Sequence, residues 1–100
     1  MATVTKALGR GAFATSSATL YTVPSTTTTV VTNIVISNTA GSAGTFTLGL
    51  NGTSLATTVS VAANSITTID LKQVLEATQT ITGLASAVTV NYHISGVEIS

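Results

Sequence analysis

The stretch VVTNIVIS, residues 30–37, decides the fold of this chain. Val, Ile and Thr are β-branched and stiff at χ1, so a run composed of them favours an extended strand. Its apolar side chains divide between the two faces of a strand, with Val30, Ile34 and Ile36 on one face and Val31 and Val35 on the other. Because both faces are apolar, the pattern predicts a central strand covered on both sides.

A hairpin signal follows this strand. Residues 45–50 alternate, with Phe46, Leu48 and Leu50 pointing inward. Asn51-Gly52 comes next, and this dipeptide suits a type I′ turn because both positions need positive φ. A return strand is predicted over residues 54–61, with Val59 and Val61 in phase.

Further strands are predicted over residues 20–23, 66–71, 80–84 and 88–94. Residues 72–77 are ambiguous between a helical turn and a crossover loop, and Asp70 is expected to end a strand or cap a turn. The apolar phase shifts after Ile94, which predicts a β-bulge at Gly96. The chain is therefore predicted to be all-β, a single antiparallel β-sandwich of seven to eight strands, jelly-roll or Greek-key like. Its predicted core consists of Val31, Ile34, Ile36, Phe46, Leu48, Leu50, Val59, Ile69, Val88, Val90 and Ile94.

The first eighteen residues have the weakest strand pattern. We assign residues 1–18 to an N-terminal arm or first strand and residues 19–100 to the β-sandwich domain. Two of the three basic residues, Lys6 and Arg10, lie in this segment. One interpretation is a solvated terminus. The other is a partner-binding arm that orders on a neighbouring surface, with Arg10 meeting a carboxylate.

Charge is nearly absent from this sequence, and that excludes many functions. Three basic and three acidic residues give 6% charge and zero net charge, against about 25% charge in typical domains. Three dispersed bases make no nucleic-acid patch. With no Cys there is no disulfide scaffold and no thiolate metal site. The sequence shows neither a secretory signal nor an apolar run long enough to span a membrane, so we expect synthesis in a cytoplasm and use without processing.

No group of residues indicates chemistry. His93 is the only side chain that could act as a general base near neutral pH, and it is expected on a strand surface. Asp70, Glu76 and Glu98 are separated in sequence, and a metal site needs three or four ligands. No nucleophile elbow or phosphate-binding loop is present. We therefore assign no catalytic, metal or cofactor-binding residue, no cofactor and no small-molecule substrate, and predict that the protein is not an enzyme.

Several segments together resemble small β-sandwich structural proteins of tailed bacteriophage virions. They are LYTVP at 20–24, VVTNIVISNT at 30–39, TFTLGLNG at 45–52, ANS at 63–65 and ISGVE at 94–98. The resemblance covers most of residues 20–99 and implies a virion component, either a capsid decoration protein or a tail-associated one. It implies no catalytic residues, and the N-terminal segment lies outside it.

The sequence thus predicts a virion structural protein, made in the host cytoplasm and assembled in many copies. Its expected partners are itself, as a homo-oligomer, and the major capsid protein or tail proteins. Self-association is expected because the strand edges carry few Lys residues to block pairing. Two alternatives remain, a tail- or neck-associated structural protein and a carbohydrate-binding β-sandwich module. The few aromatic residues, 4% of the chain, count against the second.

Overall fold

The computed structural model describes residues 3–100, which form eight β-strands and no helix. The strands are β1 (Thr3–Ala12), β2 (Ala18–Thr22), β3 (Thr28–Asn38), β4 (Gly44–Leu50), β5 (Thr53–Val61), β6 (Ser65–Leu75), β7 (Thr80–Ala85) and β8 (Val90–Ile99). They make two four-stranded antiparallel sheets, ordered β1-β8-β3-β6 and β2-β7-β4-β5. The predicted all-β class is confirmed, and the two sheets enclose one apolar core as a sandwich.

Among the eight described strands, only one consecutive pair lies side by side in a sheet. That pair is β4 and β5, joined by Asn51 (φ 49°) and Gly52 (φ 81°), so the predicted type I′ hairpin is confirmed. Every other connection crosses from one sheet to the other. The strands joined by these crossings pair with strands that are distant in the sequence. For that reason no other hairpin is evident in the sequence.

The core agrees with the alternation of apolar residues in the central strands. Seven predicted core residues are buried: Val31, Ile34, Ile36, Phe46, Leu48, Val90 and Ile94. Leu50 and Ile69 are partly buried at its margin. Seven further apolar residues complete the core and were not predicted: Leu8, Phe13, Val23, Val61, Leu75, Ile81 and Ala85.

Two predicted core positions are wrong. Val59 pairs with buried Phe46 but is 38% exposed, because β5 is an edge strand and leaves one side of the residue uncovered. Val88 is 65% exposed because it lies in the turn before β8 begins at Val90. Period-two patterning finds neither the edge of a sheet nor the first residue of a strand.

An irregularity in β3 changes which valine faces the core. The register against β8 shifts between Val31 and Asn33, so Thr32 is one residue too many for its partner strand. Val31 is therefore buried on the same face as Ile34, while Val30 is on the outer face, the reverse of the predicted assignment. β3 is central, as predicted, but its outer face is only half-buried.

The prediction of a β-bulge at Gly96 is also wrong, because the irregularities lie in the neighbouring strands. Against β8, the extra residues belong to the neighbours on either side, Leu8 in β1 and Thr32 in β3. Gly96 is buried between them, where an added Cβ would collide with the carbonyl oxygen of Val30 and lie 2.8 Å from Cδ1 of Leu8. The glycine is required by this close approach of neighbouring strands.

The ambiguous stretch after residue 71 is mostly strand. β6 continues to Leu75, which is 2% exposed and opposes buried Thr29 across the sheet. The helical turn or crossover loop predicted for residues 72–77 is therefore wrong for its first four residues. Asp70 neither ends this strand nor caps a turn, because it lies within β6.

The first residues belong to the sheet. Thr3–Ala12 forms β1 and pairs with β8 along its length, so the interpretation of this stretch as a loose arm is corrected in favour of a first strand. Leu8 and Phe13 anchor it, because both side chains are buried in the core. Met1 and Ala2, which the sequence analysis placed in the same segment, lie outside the described residues.

Candidate functional site

Three ionisable side chains, those of His93, Asp70 and Glu76, lie apart from one another. His93 is on the outer face of β8, opposite Arg10 on one side and Val35 on the other. Asp70 lies in the middle of β6, and Glu76 is exposed beyond its end. Within residues 3–100, no group of three or more His, Cys, Asp or Glu residues is placed to hold a metal ion.

The two candidate partner-binding residues are on opposite faces of β1. Lys6 opposes the buried Gly96, while Arg10 opposes the outward-facing His93. Residues four apart share a face in a regular strand, but the register shift between Ala7 and Gly9 reverses the phase. The structure therefore does not bring Lys6 and Arg10 into one site.

Lys6 belongs to a polar cluster that joins both sheets, the Tyr21–Glu98 cluster. Its Nζ lies 3.2 Å from Oε1 of Glu98. The Tyr21 hydroxyl donates a hydrogen bond of 2.5 Å to Oε2 of the same carboxylate. Because a phenol has one proton, the hydroxyl of Thr29, 2.9 Å away, donates to the Tyr21 oxygen. The cluster ties β1, β2, β3 and β8 together at one end of the sandwich.

Both ionisable partners of the central hydrogen bond have shifted pKa values. Burial and the hydrogen bond to Glu98 raise the pKa of Tyr21 to about 12. The hydrogen bond from Tyr21, helped by Lys6, lowers the pKa of Glu98. The two shifts favour one state, with a neutral phenol donating to a charged carboxylate. Sequence analysis missed this pair because 77 residues separate its members.

Asn38 is a second buried polar side chain, 2% exposed. Its Nδ2 donates to the carbonyl oxygens of Ser42, at 2.9 Å, and Val61, at 3.3 Å, while its Oδ1 accepts from the amide of Ala40. These bonds hold the loop after β3 against the end of β5. Since its polar atoms have partners within the chain, Asn38 has a structural role.

Apolar exposure is concentrated on one side of the sandwich, which we call the β5–β6 edge because it is formed by the edge strands β5 and β6. Of the six large hydrophobic side chains that are exposed within residues 3–100, four lie on these two strands: Leu55, Val59, Ile66 and Val74. β5 carries no charged residue. A long, uncharged edge with apolar side chains is a surface suited to pairing with another chain.

The three main surface depressions are small. One of about 130 Å³ lies over Gly49 on the outer face of the second sheet and is lined mostly by Thr, Gly and Ser residues. Another, of about 290 Å³, lies at the β5–β6 edge between Leu55 and Gln73. The third, of about 330 Å³, lies between Asn38 and Ile66. No two charged side chains converge in any of them, so they do not resemble a catalytic pocket.

No helix in the described part of the chain has the length and apolarity needed to cross a membrane.

Comparison with known proteins gives a likeness of fold without a likeness of sequence. No family model matches the chain, and no curated protein matches its sequence. The fold is similar to that of a chain from the acid-stable capsid of Helicobacter pylori bacteriophage KHP30, with a TM-score of 0.58 and 11% identity over 100% of this chain and 94% of that one.

Two further solved structures are similar at lower TM-scores. A chain of the T13 particle of IBDV gives a TM-score of 0.55 at 9% identity, and this chain covers 97% of its own length and 30% of that chain. The CBM35 module from Paenibacillus barcinonensis gives a TM-score of 0.43 at 13% identity, covering 98% of this chain and 89% of that one, and this likeness supports no functional conclusion. The resemblance to phage virion β-sandwich proteins is confirmed as a likeness of fold.

Proposed function

We propose that this protein is a non-enzymatic structural component of a phage virion, made in the host cytoplasm and assembled in many copies as a capsid decoration protein. The observation that carries the proposal is the fold likeness to a phage capsid chain, which extends over nearly the whole of both chains. A likeness of that extent relates two complete folds, whereas the IBDV likeness relates this chain to part of a larger one.

We further propose that the topology is a jelly roll. The strands pair β1 with β8, β2 with β7, β3 with β6 and β4 with β5. This is the pairing of one long hairpin, with its tip at Asn51-Gly52, that has been rolled until β3 meets β8 and β4 meets β7. Jelly rolls have eight strands in two sheets and are common in viral capsids.

The composition supports a role in repeated packing. In a repeating assembly every copy of a protein buries the same surface patches against its neighbours. An unpaired charge in such a patch costs free energy in every copy. This chain has 6% charged residues and zero net charge. Among residues 3–100, the only ion pair within 4 Å is Lys6–Glu98, in which the Glu98 side chain is 14% exposed.

Within this proposal, Arg10 remains the residue of β1 best placed to meet a neighbouring subunit or shell protein. It is exposed, on the outer face of an edge strand, and able to bond a carboxylate with two N–H groups. Lys6 is less available because Glu98 holds it. Arg10→Ala is expected to lower occupancy on particles without changing the melting temperature, and Thr15→Ala in the exposed β1–β2 loop is the control.

A tail or neck location uses the same fold and composition, and copy number separates it from the shell. The carbohydrate-binding alternative has less support. Sugar platforms need exposed aromatic rings, but Phe13 and Phe46 are each 1% exposed, and Tyr21 and Tyr92 are partly buried against the core.

Quantitative mass spectrometry of purified virions tests the proposal. A copy number comparable to that of the major capsid protein supports decoration. A few copies per particle would place the protein in the tail or neck and overturn the decoration role. Absence from purified virions would overturn the virion role altogether.

A further inference from the structure

The longest free strand edge in this sandwich is β6. Four strands lie at sheet edges: β1 and β6 in one sheet, β2 and β5 in the other. The outward backbone N–H and C=O groups of such strands are available to another strand. β6 has 11 residues, none of them proline, and two of them, Ile66 and Val74, are large hydrophobic residues more than 60% exposed.

Two opposite charges lie symmetrically on β6. Asp70 and Lys72 flank Leu71, and both side chains are exposed on the outer face of the strand. Within residues 3–100, neither has an ion-pair partner within 4 Å. If two copies of β6 pair antiparallel about a twofold axis through Leu71, Asp70 of each copy lies opposite Lys72 of the other, and directly opposed residues share a face.

We propose that two copies of this chain associate through their β6 edges, with the twofold axis at Leu71. The sheet β1-β8-β3-β6 then continues into its symmetry mate as one eight-stranded sheet. The inference deepens the self-assembly included in the proposed function and rests on it for its biological setting, but it is tested on purified protein without virions.

The other edges are poorer candidates for self-pairing. β1 carries Lys6 and Arg10 and no acidic residue, so two β1 edges offer each other no opposite charge. β2 has only 5 residues. β5 carries no charged residue that could complement its own twofold image, and Thr58 within it has a positive φ of 50°. Only β6 combines length with charges that complement their own twofold image.

The bulge in β6 fits the proposed axis. Leu71 and Lys72 together oppose Thr32 of β3, so the irregular part of β6 lies at its centre. A twofold axis at Leu71 places the irregular parts of both copies together, and the segments on either side then pair with each other. On the inner face, Leu71 meets Leu71 of the second copy beside the partly buried Ile69.

A charge exchange at the axis is the first test. Sedimentation velocity over a concentration series should show dimers of the natural chain. Asp70→Lys or Lys72→Asp alone places like charges opposite each other twice, and each should weaken dimerisation by about tenfold or more. The double variant Asp70→Lys/Lys72→Asp restores both pairs and should restore dimerisation. Glu76→Lys makes the same change in net charge as Asp70→Lys, outside the opposed pairs, and should leave dimerisation nearly unchanged.

Disulfide trapping tests the register. The chain has no Cys, so the disulfide of a single-cysteine variant joins two copies. In the proposed dimer, Leu71→Cys places the two new cysteines directly opposite each other. Their Cα–Cα distance is then about 4.5–5.5 Å, which is within the range of a disulfide. Val74→Cys is more exposed but lies opposite Thr68 of the second copy, so it should cross-link more slowly. Circular dichroism of both variants verifies that they are folded.

Three outcomes would overturn the inference: a natural chain that remains monomeric at about millimolar concentration, single charge variants that dimerise as well as the natural chain, or Val74→Cys cross-linking as fast as Leu71→Cys. The failure of the proposed function is a separate result. A protein absent from virions that still dimerises through β6 would contradict the virion role and leave this interface standing.

Discussion

The Tyr21 hydroxyl donates a 2.5 Å hydrogen bond to Oε2 of Glu98, and this bond connects the two sheets. Tyr21 lies on β2, whereas Glu98 lies on β8 and also holds Lys6 of β1. In a chain with three acidic residues, one of them is thus used to fasten the end of the sandwich. Its effect on stability is measurable through pH.

Tyr21→Phe should weaken the fold and flatten its pH dependence at both extremes. The lowered pKa of Glu98 means that its contribution is present above its ordinary value of 4.5 and is lost as pH falls through the folded-state value. The raised pKa of Tyr21 means that its contribution is present below pH 10 and is lost as pH rises toward about 12. Denaturant unfolding across pH measures both, and near neutrality we expect a loss of about 1–2 kcal/mol.

Tyr92→Phe is the matched control for that experiment, because it removes a phenol hydroxyl away from the carboxylate. Tyr92→Phe should leave the losses of stability at acid pH and at alkaline pH as they are in the natural chain. Equal pH profiles for Tyr21→Phe and the natural chain would show that the Tyr21–Glu98 bond does not contribute to folding.

Ile34→Ala should lower the free energy of unfolding by about 2–5 kcal/mol, because it opens a cavity in the centre of the core. Ile34 is 0% exposed and pairs with buried Ile94. Val88→Ala truncates an aliphatic side chain in an exposed turn and should change stability by less than about 0.5 kcal/mol. Equal effects of the two substitutions, measured by chemical denaturation, would contradict the placement of the core.

Gly96→Ala should destabilise the fold by about 2 kcal/mol or more, since one added methyl group meets the Val30 backbone oxygen and cannot be relieved by a side-chain rotation. Gly41→Ala is the control, because an added Cβ there has no neighbour within 4 Å. Thermal melts compare the two variants. A Gly96→Ala protein as stable as Gly41→Ala would mean that β1 and β3 do not approach β8 closely at this point.

Deletion of residues 2–12 should abolish cooperative folding, because it removes β1, uncovers one edge of β8 and takes Leu8 from the core. Lys6→Ala removes only a partly exposed ion pair and should cost less than about 1 kcal/mol. Circular dichroism melts distinguish the cases. A truncated protein with an unchanged melting temperature would show that residues 2–12 are a loose arm and do not contribute a strand to the sandwich.

The sequence was sufficient where structure depends on neighbours along the chain. Alternation identified Phe46 and Leu48 as buried, and the positive-φ preference of Asn51-Gly52 located the single hairpin between sheet neighbours. β-branched residues indicated the all-β class. The near absence of charge led to the expectation, from the sequence alone, that the chain is neither a nucleic-acid-binding protein nor an enzyme.

Only the tertiary structure decided features that depend on pairing between distant strands. The side-chain pattern of one strand does not show where a neighbouring strand has one residue fewer. The register shifts at Leu8 and Thr32 therefore place Arg10 and Val30 on the faces opposite to those that regular alternation gives. Exposure of Val59 follows from the edge position of β5, and the Tyr21–Glu98 bond from a meeting of β2 with β8. The physical reason is the same in each case: side-chain alternation is a local property, whereas register, sheet order and the contacts between sheets are set by residues far apart in the chain.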